Sequence, residues 1–105
     1  MMWEDSRKML KSFDTNMLNR TYPDICPECG SSEKHVFFYR FDEDDSDGGV
    51  WMWCSKCHSY THAHSVVPKI WKNPVFIDEE KLDDTIDYLE ANKDKIDKWI
   101  EELKQ

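Results

Sequence analysis

Long apolar runs are missing from this chain. None approaches the roughly 20 residues that a membrane-spanning helix needs, so no membrane partner is expected. The opening stretch, Met1-Met2-Trp3-Glu4-Asp5-Ser6-Arg7, has no basic region followed by an apolar segment, and a secretory signal is not expected either. A cytoplasmic setting follows as the expectation, and there paired cysteines hold metal more often than they form disulfides. Glycine is scarce: three residues in 105, two of them adjacent. A glycine-rich phosphate loop and a Gly-x-Ser-x-Gly elbow are both absent, and no nucleophile–base motif stands out. Basic side chains are few as well, 14 against 22 acids, for a net charge of −8. Nucleic-acid affinity rests largely on Lys and Arg neutralising phosphates, so such a chain is a poor general binder of nucleic acid.

What is present is unevenly distributed. Residues 1–41 balance six basic against six acidic side chains, and residues 42–47 hold five acids and no base. Residues 48–77 carry three lysines (Lys56, Lys69, Lys72) and no acid, whereas residues 78–105 carry eleven acids and five lysines. This pattern suits a basic partner.

The four cysteines form two pairs, Cys26-Pro27-Glu28-Cys29-Gly30 and Cys54-Ser55-Lys56-Cys57, separated by twenty-four residues. Each Cys-x-x-Cys turn can present two thiolates to one tetrahedral zinc ion, and the intervening segment is long enough for a hairpin that returns to the metal. Gly30 suits the position after a second ligand, where the backbone can need positive φ. Four thiolates close the coordination shell, so the expected ion is a single structural Zn2+ held by Cys26, Cys29, Cys54 and Cys57, adding about −2 to the charge. A redox pair is the alternative for one Cys-x-x-Cys, but two pairs outside a βαβ context favour metal. The zinc deaminase pattern does not apply: His-x-Glu is missing and neither pair follows a proline directly.

Over residues 24–66 the two knuckles and the strand–loop–strand between them resemble the zinc-ribbon class. The resemblance implies a ribbon built on the metal, a scaffold that serves in transcription factors, ribosomal proteins, enzymes and adaptors alike. In size and charge the chain is also similar to small acidic bacterial immunity proteins and antitoxins.

Periodicity extends the reading to both flanks. Met9, Leu10, Phe13, Met17 and Leu18 recur at helical spacing and predict a helix over 3–19, stopped by Tyr22-Pro23-Asp24. Strands are predicted at Lys34–Phe41, Val50–Trp53 and His58–Val67, with 42–49 as a loop. Residues 68–77, broken by Pro68, Asn73 and Pro74, read as an irregular link. From Asp78 onward Leu82, Ile86, Leu89, Ile96, Ile100 and Leu103 form a helical stripe, with Asn92 as a candidate break. The expected architecture is one α+β domain over 1–105. An N-terminal helix (1–23), a three-stranded antiparallel zinc ribbon (24–67), a link (68–77) and a long or broken C-terminal helix (78–105) make it up.

Three further features invite function. His58, His62 and His64 share one face if their segment is a strand, and with His35 they are candidates for a second metal or for catalysis. A solvated strand face is the competing explanation. The acidic loop 42–47 fits an EF-hand only partly: Glu43, Asp45 and Asp47 fall at ligand positions, but Cys54 stands where the twelfth-position glutamate belongs. It reads instead as a solvated hairpin tip, or as a docking site for basic residues. Trp51 and Trp53 lie on one side of their strand, as core or as a base-stacking platform. The leading functional expectation is a non-catalytic module for a basic protein partner, with an immunity- or antitoxin-like role. A nucleic-acid-associated ribbon and a metal-dependent enzyme using His58, His62 and His64 are the alternatives.

Overall fold

The computed structural model describes residues 3–11, 25–42, 44, 46–84 and 86–104. Its centre is a four-stranded sheet in the order β1-β4-β3-β2. Strands β2 (Lys34–Arg40), β3 (Asp47–Cys54) and β4 (Ser59–Val66) form an antiparallel meander. β1 (Glu4–Asp5) adds two residues, parallel to β4. The meander lies where the ribbon is expected, but within a sheet of four strands rather than three, the fourth being parallel.

That correction begins at Ser6. Helix α1 covers Arg7–Lys11 and does not start at Trp3. The Ser6 hydroxyl accepts a hydrogen bond from the Met9 amide at 3.1 Å, an N-cap that fixes where the helix begins. Upstream of the cap the backbone is free to extend, and the amides of Glu4 and Ser6 donate to the carbonyls of His58 and Tyr60 at 2.9 and 2.8 Å. The remainder of the predicted N-terminal helix, with Phe13, Met17 and Leu18 and its proline stop, lies outside the described residues.

The loop between β2 and β3 is shorter than predicted, because Gly48 and Gly49 belong to β3. Gly48 sits opposite Arg40 and Ser65 in the sheet. A Cβ there would come within 2.0 Å of the Tyr39 carbonyl oxygen and 2.6 Å of Val67 Cγ2. The glycine marks a close approach of backbones rather than a turn.

Both faces of β2 and β3 are largely buried, which explains why these strands read as near-continuous apolar and aromatic runs. Val36, Phe38, Val50 and Met52 lie on one face, and Met9 of α1 is buried with them. The other face, with His35, Phe37, Trp51 and Trp53, receives the C-terminal layer. That layer consists of a 3-10 helix (Glu79–Asp84), α2 (Ile86–Ala91) and α3 (Lys93–Leu103). The predicted stripe is its buried side, since Leu82, Ile86, Leu89, Ile96 and Ile100 are all buried. Asn92 does break the run, its side-chain amide donating to the Tyr88 carbonyl at 2.8 Å.

The link over 68–77 is irregular but pinned. Trp71 is buried edge-on against Phe37 and Phe38 at 5.4 and 5.5 Å. The Arg40 guanidinium donates to the Pro68 and Trp71 carbonyls at 2.7 and 3.1 Å. Asn73 accepts from the Arg40 amide and donates to its carbonyl, both at 2.8 Å, so one side chain substitutes for a neighbouring strand at the edge of β2.

Gly48→Ala tests the close approach directly. Because the obstacle is backbone, the substitution should cost about 1–3 kcal/mol or more, read as a lowered midpoint in chemical denaturation. A variant as stable as the parent would contradict the packing.

Candidate metal centre

Both Cys-x-x-Cys segments fold as matching turns. The Gly30 amide donates to the Cys26 carbonyl at 2.9 Å, and the His58 amide to the Cys54 carbonyl at 3.1 Å. The amides two residues after each first cysteine, Glu28 and Lys56, point at the sulfurs of Cys26 and Cys54 at 3.4 Å. Such donors stabilise a thiolate. The residue after each second cysteine has positive φ: 75° at Gly30, as expected, and 61° at His58. The histidine therefore occupies a position that favours glycine, and it does not belong to β4.

The hairpin brings the turns together. The four sulfur atoms lie within 4.8 Å of one another. Cys26 and Cys57 are 3.6 Å apart, and Cys29 and Cys54 are 3.7 Å apart. A tetrahedral ion with bonds of ~2.3 Å to sulfur sets its ligands ~3.8 Å apart, so the cluster fits one metal ion. Cys26 and Cys54 are buried while Cys29 and Cys57 face outward.

Hydroxyl groups complete the surroundings. Ser31 Oγ lies 3.2 Å from Cys29 Sγ and 3.4 Å from Cys54 Sγ, and Ser59 Oγ lies 3.3 Å from Cys57 Sγ. Burial pushes the Cys26 thiol up to about 12, whereas the hydrogen bond from Ser31 brings Cys29 down to about 6. Metal binding must therefore displace protons, the Cys26 proton above all.

A second set of contacts ties the C-terminal layer to this centre. The Glu90 carboxylate accepts from Trp53 Nε1 and from the hydroxyl of Ser55, inside the second knuckle, both at 2.8 Å. Lys93 donates to its other oxygen at 3.0 Å. Burial works against the Glu90 charge, but the bonds from Ser55, Lys93 and Trp53 outweigh it and hold the carboxyl below its ordinary range. Composition gave no hint that Glu90 has this role; its place on the buried side of the helix, one residue after Leu89, was the available signal.

The histidines do not gather. His35 is buried, 3.0 Å from Asp97 of α3 and stacked on Trp53 at 5.5 Å. His58 turns toward Trp3, with ring centroids 5.0 Å apart. His62 lies flat on Trp51 at 4.2 Å, and His64 stacks on Phe41 at 5.5 Å. Among the described residues, the cysteines are the only group of three or more His, Cys, Asp or Glu side chains close enough to share a metal. Trp51 and Trp53 are core residues, so neither offers a free face for stacking a base. Of the acidic loop, Asp42 and Asp44 are exposed and Asp47 has joined β3, while Glu43 and Asp45 lie outside the described residues. Among the described residues, no helix is long and apolar enough to cross a membrane.

Three outcomes are expected. Native mass spectrometry under reducing conditions should find one metal per chain in the parent and none in Cys54→Ser. Affinity should fall as pH is lowered, because protons compete for the thiolates. Chelation should lower the melting midpoint by tens of degrees, given roughly 4–8 °C per kcal/mol in a domain of this size and a site worth several kcal/mol.

Glu90→Gln should cost about 1–3 kcal/mol at neutral pH. A carboxyl lowered by folding stabilises the fold above its unfolded pKa, and that contribution is lost as pH falls through the folded value. The gap between parent and variant should therefore close in acid, with bound metal followed in parallel. No protein-family model, curated protein or solved structure matches the chain.

Proposed function

We propose that the chain is a non-catalytic binding module, held together by one structural zinc ion, that docks a basic protein partner. The closed sulfur cluster carries the reading. Four thiolates in tetrahedral array suit zinc and leave no open position for substrate or water, which catalytic zinc requires. The working part of the chain is then its surface. Exposed acids stand on the 3-10 helix (Glu79, Glu80), on α2 (Asp87), on α3 (Asp94, Glu101, Glu102) and in the β2–β3 loop (Asp42, Asp44). An inhibitor that covers the basic face of a toxic enzyme, in the manner of immunity proteins and antitoxins, is the form of this role that matches the size and charge.

One observation favours a second reading, a nucleic-acid-associated ribbon. Lys69, Lys72 and Arg40 border a cavity of about 770 Å³ together with Trp99. Against it, Asp44 lines the same cavity and the Arg40 guanidinium is committed to backbone carbonyls. The enzyme reading through His58, His62 and His64 draws no support from their placement.

The test is titration of the zinc-loaded chain with the purified basic product of a neighbouring gene, and separately with a single-stranded oligonucleotide. The proposal expects protein binding that weakens with salt. Reversing charge at Asp42 and Asp44, or at Glu101 and Glu102, should slow association roughly tenfold at low salt. Tight, salt-sensitive binding of the oligonucleotide that disappears in Lys69→Glu/Lys72→Glu would transfer the function to the second reading.

A further inference from the structure

The open end of the helix-covered sheet face holds a cavity of about 470 Å³. Gly49 lies in its lining. Across the three strands one row reads Tyr39, Gly49, His64, and the next reads Phe37, Trp51, His62. With no side chain at Gly49, the Trp51 ring leans over that position, where a Cβ would stand 3.0 Å from Cη2 and Cζ3. The ring fills the space over the glycine, and the notch that remains lies between this ring, Tyr39 and His64.

Rings line the notch. Trp51 and His62 stack at 4.2 Å with 10° between their planes, and Phe41 and His64 at 5.5 Å with 24°. Tyr39 closes the β2 side, edge-on to Phe41 at 6.3 Å. Glu79 from the 3-10 helix faces the same cavity and accepts a hydrogen bond from the Tyr39 hydroxyl. That bond raises the Tyr39 phenol above its ordinary value, so the hydroxyl remains a donor and orients the carboxylate. Among the described residues lining the cavity there is one carboxylate and no lysine or arginine.

The C-terminal layer leaves this end of the face open. Glu90 and Asp97 anchor α2 and α3 at the end that carries Trp53 and His35. Phe41 remains 54% exposed, and Val66 at the end of β4 49%. Exposed aromatic rings beside a positioned carboxylate have the character of a recognition site rather than of a core. The negative faces of the rings and the single acid select a cation. A planar, weakly hydrated guanidinium can both stack on a ring and hydrogen-bond a carboxylate, which a compact ammonium cannot do as well.

We propose that this notch receives an arginine side chain of the basic partner, stacked on Phe41 beside Tyr39 and paired with Glu79. The inference rests on the basic-partner reading and gives that partner a specific anchor.

The experiment is a titration of ¹⁵N-labelled, zinc-loaded protein at pH 8 and low salt, following the Gly49 amide and the Trp51 indole N–H. The probes are a short glycine–arginine peptide, its lysine and citrulline counterparts, and free arginine. Saturable shifts at Gly49 and Trp51 are expected with the arginine peptide. The lysine peptide should bind at least about threefold more weakly, the scale of an exposed cation–π contact, and the citrulline peptide should not bind. Phe41→Ala removes a half-exposed ring and Glu79→Gln keeps an acceptor for Tyr39, so both should fold, as their amide spectra will verify. Each should weaken the arginine peptide about threefold or more.

Equal binding of the lysine or citrulline peptide would overturn the guanidinium assignment, and free arginine binding as tightly as the peptide would overturn the protein-partner assignment. Shifts confined to α3 or to the loop around Asp42 would overturn the notch while leaving the basic-partner reading standing. No shift with any probe would overturn the notch as well, and the partner titration then judges that reading separately.

Discussion

The closing of one hairpin onto two turns is the constraint on which the rest of this molecule depends. Cys54 ends β3 in a buried position, and the knuckle before β2 must return to it with sulfur atoms 3.6–3.7 Å apart. Antiparallel pairing from Lys34 opposite Cys54 to Arg40 opposite Gly48 sets that distance. A slip of one residue would move every side chain of β2 to the other face and separate the sulfurs. Metal site and sheet register are thus one specification. The amide donors at Glu28 and Lys56 and the hydroxyl of Ser31 then face the sulfurs and offset part of the cost of burying thiolate charge.

The C-terminal layer is held by more than its apolar stripe. Each of its elements sends an acid to a donor on the sheet side: Glu79 takes Tyr39, Glu90 takes Trp53 and Ser55, and Asp97 meets His35. Asp87 of α2 accepts from Trp3 Nε1 at 2.7 Å, which also secures the N-terminal strand. An aromatic sheet carries indole, phenol and imidazole groups that need partners once covered. The helices that cover it supply carboxylates. Part of the acidity of residues 78–105 therefore serves the fold, and of these acids Glu79 and Asp87 are also exposed.

The division of the sheet into a covered end and an open end follows from the same contacts. Polar anchors concentrate near the cysteine cluster, where Ser55, Trp53 and His35 lie, and become sparse toward Gly49. What remains at the far end is a row with a glycine at its centre and rings on both sides. The chain has its polar anchors at one end of a single sheet and an open, aromatic-lined recess at the other.

Much of this was legible in the residues. Two Cys-x-x-Cys pairs with a hairpin's length between them predicted the sulfur cluster, because ligand spacing in a turn is a local property. The stripe from Leu82 to Ile100 predicted the buried side of the C-terminal layer, because helical periodicity is local too. The four-stranded sheet was not legible: β1 exists only because Ser6 caps a helix and leaves Glu4 and Asp5 to pair with a strand more than fifty residues away. Gly48 and Gly49 looked like a turn, and it is their neighbours across the sheet, the Tyr39 carbonyl and the Trp51 ring, that make them strand residues. The three histidines shared a face on paper, but the positive φ of His58 and the rings beneath His62 and His64 dispersed them. Local chemistry and periodicity are written along the chain. Close approaches, polar partners and the ends of faces arise between distant segments, and only packing decides them.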